Sequence, residues 1–330
     1  MGNKVTMLDY IAITKYFGSK DKPNFANCQW LADYSGGGER YAVEGCEKLE
    51  AIWNGGTHLL KIRGSVPYFF QGHNFACDKD TFVEAVDYLQ ARLQAGLWDA
   101  DIDAVEVGTI FEVSRRPRDY IKNHYARPKA HLLEDSRPRD KGNFKYWEQS
   151  GGGDSLKMYD AGRNIIMKQS LKRREVIQMA GWNPDAQYMK IEAHIRHPER
   201  VNGGKAFTLE DCVDPAKYEL LRGRLREMYE FLEPMRTLET PTDKRNLRTA
   251  DLLAIALAEE YMNNHNCSPE EARKALFERI NAIDNETLTK ADKDARKRQI
   301  RSIFAKLGEA AQSEFDLKEQ LASSLASENW

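Results

Sequence analysis

The chain has 330 residues, and its 49 Lys and Arg against 51 Asp and Glu give a formal net charge of −2. Apolar residues make up 41% and charged residues 30%, which excludes collagen-like, mucin-like and low-complexity classes and leaves enough apolar mass for a packed core. At roughly 100–200 residues per domain, the length predicts two domains, or one large domain with an extension.

The first residues, MGNKVTMLDYIAITKYF, lack the basic, apolar and small-residue order of a secretory leader, and none is expected. Val5–Tyr16 is rich in β-branched and aromatic residues and is predicted to be a strand. Residues 18–38 read as a loop closing on Ser35-Gly36-Gly37-Gly38, and patterning over 39–50 is weakly helical. Trp53-Asn54-Gly55-Gly56 is a turn signal with a hairpin dipeptide. His58–Arg63 is the returning strand, and Val66–Phe70 is expected to extend it past Gly64.

Phe82, Val83, Val86, Leu89 and Leu93 fall at helical spacing, with Asp78 as N-cap and Gly96 just past the end. Asp101–Val113 alternates as a strand does. Val105, Val107, Thr109, Phe111 and Val113 share one face; Glu106, Gly108, Ile110 and Glu112 share the other. Residues 114–154 are polar and hold Pro117, Pro128 and Pro138. Ser155–Gln169 is predicted to start as a strand and to pass into a helix near residue 165, continuing through Arg173 and Arg174. Gln187–His197 alternates again, with Lys190, Glu192, His194 and Arg196 on one face, and ends at Pro198. After residue 215 the pattern is helical to the end, with Ser268-Pro269-Glu270-Glu271 as a capping box. The domain boundary is placed at Glu239–Thr242, dividing the chain into 1–240 and 241–330.

The near-neutral total hides a local imbalance. Val113–Val176 holds 16 Lys and Arg against 8 Asp and Glu, a net charge of +8, with Tyr120, Tyr125, Phe144, Tyr146, Trp147 and Tyr159 interleaved. Basic charge neutralises phosphates and aromatic faces stack on unpaired bases, so this segment is either a nucleic-acid surface or a solvated basic loop. The five Cys are widely spaced with no C-x-x-C pair, which predicts a reducing cytoplasm rather than a disulfide framework or a zinc site. No apolar run of about 18 residues occurs, so no transmembrane helix is expected.

Three predicted strands present polar faces carrying Glu106 and Glu112, Glu192 and His194, and Tyr159. As neighbours they would bring carboxylates and an imidazole beside a phenol. Such donors suit Mg²⁺ or Mn²⁺, which can withdraw charge from a phosphate. A tyrosine can then attack phosphorus and split one hard step into two. With an ordinary pKa of about 10, the phenol needs positive charge close by, for which Lys157 and Lys168 are the candidates. His73, in PYFFQGHNF, is either a satisfied turn residue or part of such a site. Glu112 is either a ligand or a solvated strand residue.

GSVPYFFQGHNF (64–75), the helix after it, DIDAVEVGTIFEV, SLKMYDAG and MKIEAHI resemble, in order and rough spacing, the replication initiators of filamentous phages and related phage and plasmid replication proteins. The resemblance covers about residues 5–200, and GHN with its flanks is its most distinctive part. It implies an α+β domain with a central antiparallel sheet and flanking helices, of the HUH-endonuclease-like kind, to which the helical pattern of the last part of the chain adds a C-terminal all-helical extension. It also implies a metal-dependent tyrosine endonuclease and strand-transferase of the bacterial host cytoplasm. Such an enzyme nicks one strand of origin DNA, leaving a 3′-hydroxyl that primes rolling-circle replication.

Carried over residue by residue, Tyr159 matches the family tyrosine, Glu192 the acid of the last strand and His73 the GHN histidine. Relatives tend to carry an Asp where this chain has Gly108. Glu106 is expected to substitute, with His194 as a further ligand of Mg²⁺ or Mn²⁺ and with His73 and Glu112 in reserve. Lys157 and Lys168 are expected to assist Tyr159. Contacts to DNA are expected from Arg115, Arg116, Arg118, Lys122, Arg163, Lys172, Arg173 and Arg174. The implied partner is single-stranded or supercoiled double-stranded origin DNA, with no membrane. Homodimer formation and recruitment of a host helicase or polymerase stay open. A second class, a module of the same ancestry that binds DNA without cutting it, draws its support from Gly108.

Overall fold

The computed structural model describes residues 5–18, 22–127, 134–151, 153–234, 249–265, 267, 269–306 and 315–326. The first half runs through strands β1 (Val5–Tyr16), β2 (Cys28–Tyr34), β3 (Gly38–Val43), β4 (Leu49–Asn54) and β5 (Leu59–Ser65), then helices α1 (Val66–Gln71) and α2 (Lys79–Leu93). Next come β6 (Asp101–Val113), α3 (Pro117–Lys122), β7 (His124–Ala126), β8 (Glu134–Asp135), β9 (Phe144–Glu148) and β10 (Ser155–Asp160). Helices α4 (Ala161–Lys168) and α5 (Leu171–Met179) lead to β11 (Gln187–Ile195), α6 (Pro198–Val201), α7 (Pro215–Glu230) and β12 (Leu232–Pro234). Helices α8 (Thr249–His265), α9 (Pro269–Ala282), α10 (Lys290–Lys306) and α11 (Lys318–Leu325) complete the chain.

The described residues fall into two compact units, one within 1–122, 132–231 and 317–330, the other within 123–131 and 232–316. The first is built on a ten-stranded antiparallel sheet in the order β2-β3-β4-β5-β1-β6-β11-β10-β9-β8. Its architecture is therefore mixed α/β around a large antiparallel sheet. The central strands are apolar on one face because Leu8, Val105, Val107, Ile191 and Ala193 recur at two-residue spacing and are fully buried. Each large side chain so removed from water contributes about 1.5–3 kcal/mol. Helices α7 and α11 pack on β6, so the chain's last helix returns to this unit. Tyr229 Oη accepts the Leu317 N–H at 3.0 Å where α11 joins.

In the second unit β7 and β12 pair antiparallel. Ile255, Ala258, Met262 and Ala272 form a small core with Tyr261, Cys267 and Phe304 packed against it. Helix α9 begins on Pro269, the position where a missing N–H costs nothing. Ser268 and the boundary region 239–242 lie outside the described residues. Among the described residues, no helix is long and apolar enough to cross a membrane.

Several elements differ from the sequence expectations. Residues 28–54 hold three strands rather than a loop and a weak helix, because β2, β3 and β4 complete one another's hydrogen bonds in a meander. Residues 66–71 form a helix rather than an extension of β5. Ser65 Oγ accepts the Tyr68 N–H, and Pro67 lies in the first turn. Residues 144–148 form strand β9 within the stretch read as polar loop. The helix after β10 starts at Ala161 and is two helices, broken where Ser170 caps the second. Pro198 opens α6 as well as closing the strand.

Gly64 marks the tight crossing of β5 over the start of β4. Its φ is +141°, and a Cβ there would lie 2.0 Å from the Lys48 carbonyl oxygen. Gly64→Ala is expected to lower stability by about 2–3 kcal/mol. The check is a fall in urea midpoint at unchanged m-value.

Candidate active site

Strand register assembles the site. In the β6–β11 pair His194 stands opposite Glu106 and Glu192 opposite Gly108. In the β10–β11 pair Lys157 stands opposite Glu192 and Tyr159 opposite Lys190. Residues directly opposite project from the same face, so Glu106, Glu192, His194, Lys157, Tyr159 and Lys190 share one side of the sheet. The fourth strand, β1, has an irregularity in its pairing with β6 between Leu8 and Ile11. Such bulges re-aim side chains, and this one delivers Asp9 to the same place.

Asp9, Glu106 and Glu192 each place a carboxylate oxygen within 4.8 Å of the other two. Lys190 Nζ stands 2.7 Å from Asp9 Oδ2 and 2.6 Å from Glu192 Oε1. Ser65 Oγ donates to Asp9 Oδ1 at 2.7 Å, and Asn74 Nδ2 donates to Oδ2 at 2.5 Å. Glu106 pairs with Lys157, and its Oε1 is 3.1 Å from His194 Nδ1. Three carboxylates thus face two ammonium groups in a buried setting.

The protonation equilibria follow from that imbalance. Burial alone would raise the Asp9 carboxyl, but the charge and hydrogen bond of Lys190, with Ser65, bring it down to about 2. Burial likewise opposes ionisation of Glu106, and the His194 and Lys157 contacts reverse the effect. For Glu192 the compensation is outweighed. Burial pushes it to about 7, the neighbouring Glu106 and Asp9 charges add to the rise, and Lys190 opposes it. Burial also raises the Tyr159 phenol well above its ordinary value, the Glu192 charge reinforcing this and Lys190 working against it.

These donors fit a hard divalent cation. All three are carboxylate oxygens, the set such ions prefer. Glu192 Oε1, although close to Lys190, is buried without a hydrogen bond of acceptable geometry. The arrangement also lacks one positive charge.

Asp9 and Glu106 open into a cleft of about 470 Å³ also lined by His73, Tyr159, Lys168 and Lys190, among others. Tyr159 is half-buried, and Lys190 Nζ lies 5.7 Å from its ring centroid. His73 is buried, accepts the Phe75 N–H on Nδ1 at 3.4 Å, and is pushed to lower pKa by that burial. It reaches the cleft because Gly72, with φ of +77°, ends α1 in the left-handed conformation and turns the chain inward.

The structure therefore brings together Tyr159, Lys157, Lys168, Glu106, Glu192, His194 and His73 around one face. Glu112 is exposed and outside the carboxylate group. His194 backs Glu106 rather than joining the three carboxylates. Of the cations expected to hold DNA, Arg173 donates to Tyr68 Oη at the edge of the cleft. Arg174 bonds the carbonyls of Gln169 and Ile166, closing the end of α4. Arg116, Arg118 and Arg163 line a second cavity. Arg115, Lys122 and Lys172 are exposed.

Asp9 and Lys190 were not among the expected site residues. The available signal for Asp9 was an acid inside the apolar run VTMLDYIAI. The unexpected Gly108 has a steric reason. A Cβ there would lie 2.7 Å from Glu192 Cγ and 2.8 Å from the Ile191 carbonyl, so Glu192 occupies the space that an aspartate side chain at this position would need. Asp9 supplies the third carboxylate from the adjacent strand. No family model matches this chain, and no curated protein is significantly similar to it.

Two outcomes follow for the site. Because the native Glu192 carboxyl titrates near 7 against an ordinary 4.5, the folded state binds the extra proton between those values. Stability should therefore fall as pH rises from 4.5 to 7, by an amount on the order of 3 kcal/mol, and level off above. Glu192→Gln should lose this component of the decline in urea midpoints measured across that range. Gly108→Asp should destabilise the protein by about 1–3 kcal/mol through overpacking against Glu192, read in the same way.

Proposed function

We propose that this chain is a metal-dependent tyrosine DNA nickase and strand-transferase that initiates rolling-circle replication at an origin. The observation that carries the reading is that Tyr159 lines one cleft together with Asp9 and Glu106, two of the three clustered carboxylates. The sheet, in this reading, is of the HUH-endonuclease-like kind.

Asp9, Glu106 and Glu192 would hold Mg²⁺ or Mn²⁺. When bound, the ion supplies Lewis-acid withdrawal of charge from a phosphodiester oxygen. Tyr159 Oη attacks the phosphorus and forms the new P–O bond as the bond to the 3′ oxygen breaks. The phenol proton passes to water in the open cleft, and the departing oxygen takes a proton to become the 3′-hydroxyl. The strand's 5′ phosphate is left on Tyr159, and attack by a 3′-hydroxyl reverses the step and rejoins DNA. Since burial holds the phenol above its ordinary pKa, the Lys190 ammonium beside its ring has the task of stabilising the developing phenolate. Lys168, at the cleft edge, meets the phosphate backbone.

The alternative of DNA binding without cutting drew on the missing acid at position 108. Asp9 provides a carboxylate in its place, which favours the cutting reading.

The test uses supercoiled plasmid bearing the cognate origin with Mn²⁺. Wild-type protein should yield an open circle carrying covalently attached protein. Tyr159→Phe should form no adduct yet bind Mn²⁺ like wild type. Asp9→Asn should weaken Mn²⁺ binding by about 10–100-fold, read by calorimetry, and lose nicking with it. An adduct formed by Tyr159→Phe would overturn the nucleophile assignment.

A further inference from the structure

Helix α4 separates two cavities. Ala161, Asn164, Ile165 and Lys168 recur at helical spacing and face the Tyr159 cleft. Gly162, Arg163, Ile166 and Met167, on the other side of the helix, line a second cavity of about 410 Å³. Arg116, Arg118 and Lys141 join Arg163 there. Among the described residues Asp160 is the single acid in the lining, and its Oδ1 is committed to the Arg163 backbone N–H at 2.7 Å, where it caps the helix.

The cations are unequally engaged. Arg163 is held by Asp140 at 3.2 Å, and Arg118 lies 3.7 Å from Asp119. Arg116 and Lys141 are exposed and have no acidic partner among the described residues. Trp182, only 5% exposed, also lines the cavity, and its indole N–H has no acceptor among the described residues. At the rim, Ile166 is 45% and Met167 66% exposed.

Unengaged cations beside an unpaired donor select a phosphodiester, whose oxygens supply both charge and acceptors. The apolar rim adds a second requirement. Base faces are hidden inside a duplex but bare in a single strand, and only bare faces can cover Ile166 and Met167.

We infer that this second cavity is a binding subsite for unpaired DNA, holding the part of the strand that continues past α4 from the Tyr159 cleft. Phosphates meet Arg116, Arg118 and Lys141, and bases lie over the rim. The choice of DNA over RNA rests on the nickase reading; the affinity for a single strand does not. The helix is about 10 Å across with its side chains, so a strand engaging both cavities presents several phosphates to α4 and its flanks.

The test is fluorescence anisotropy of a labelled oligothymidylate of about a dozen nucleotides with the full chain in EDTA, over a series of KCl concentrations. Arg116→Ala/Lys141→Ala changes only exposed side chains, and thermal melting checks that it folds. It should bind roughly tenfold more weakly at low salt and show a log K against log salt slope smaller by about 1.4, for two lost phosphate contacts. Trp182→Phe should weaken binding a few-fold at unchanged slope. Wild-type affinity and slope in the double variant would overturn the subsite. So would duplex DNA binding as tightly as the single strand, whereas an RNA of the same length binding as tightly would overturn only the choice of DNA. No nicking by the wild-type protein, with these binding results intact, would sink the nickase reading alone. Normal nicking with an unaffected double variant would sink the subsite alone.

Discussion

Lys190 is 1% exposed, and its ammonium sits between Asp9 and Glu192 in the centre of a ten-stranded sheet. Removing charges from water costs several kcal/mol for each ion, and the cost is offset only where partners are close and well oriented. The register that places β1, β6 and β11 side by side is therefore chemically constrained as well as sterically. A slip of one residue would turn these side chains to the other face and leave charges unpaired in the apolar core. The same ammonium sets the character of the site. It holds Asp9 ionised, opposes the burial that raises Glu192 to about 7, and faces the ring of Tyr159.

Around that centre, positive charge remains one short of the carboxylates. A folded protein tolerates such a deficit when it can protonate one acid, as Glu192 does, or accept a cation from outside. The proposed chemistry uses the second route. The phenol and the acids are on rigid strands, so the geometry needed to bring a phosphate between them is prepared before substrate arrives.

Helix α4 ties this chemistry to the surface beyond it. Its cap, Asp160, is the residue after Tyr159, so the strand end that aims the phenol also starts the helix. Its two sides then face different cavities, one toward Asp9 and Glu106 and one toward Arg116 and Lys141. A short helix at this point leaves the two depressions on its two sides.

Much of this was legible in the residues themselves. The alternation in 101–113 and 187–195 marks two central strands and puts Glu106, Glu192, His194 and Lys190 on polar faces, because strand side chains repeat every two residues whatever the partner. The Asp78 cap and the apolar spacing after it mark α2 for a similarly local reason. The strands at 28–54 were not legible, since their pairing, not their composition, supplies their hydrogen bonds. Neither was the exchange that leaves Gly108 bare and brings in Asp9. Which carboxylate fills a site depends on which strand lies next to it and on the room left by Glu192, and both are properties of strands that pack together from distant parts of the chain. Sequence alone determined the strand faces and the chemistry they can offer; the tertiary structure decided which acids meet, because burial and register act between segments that no local pattern connects.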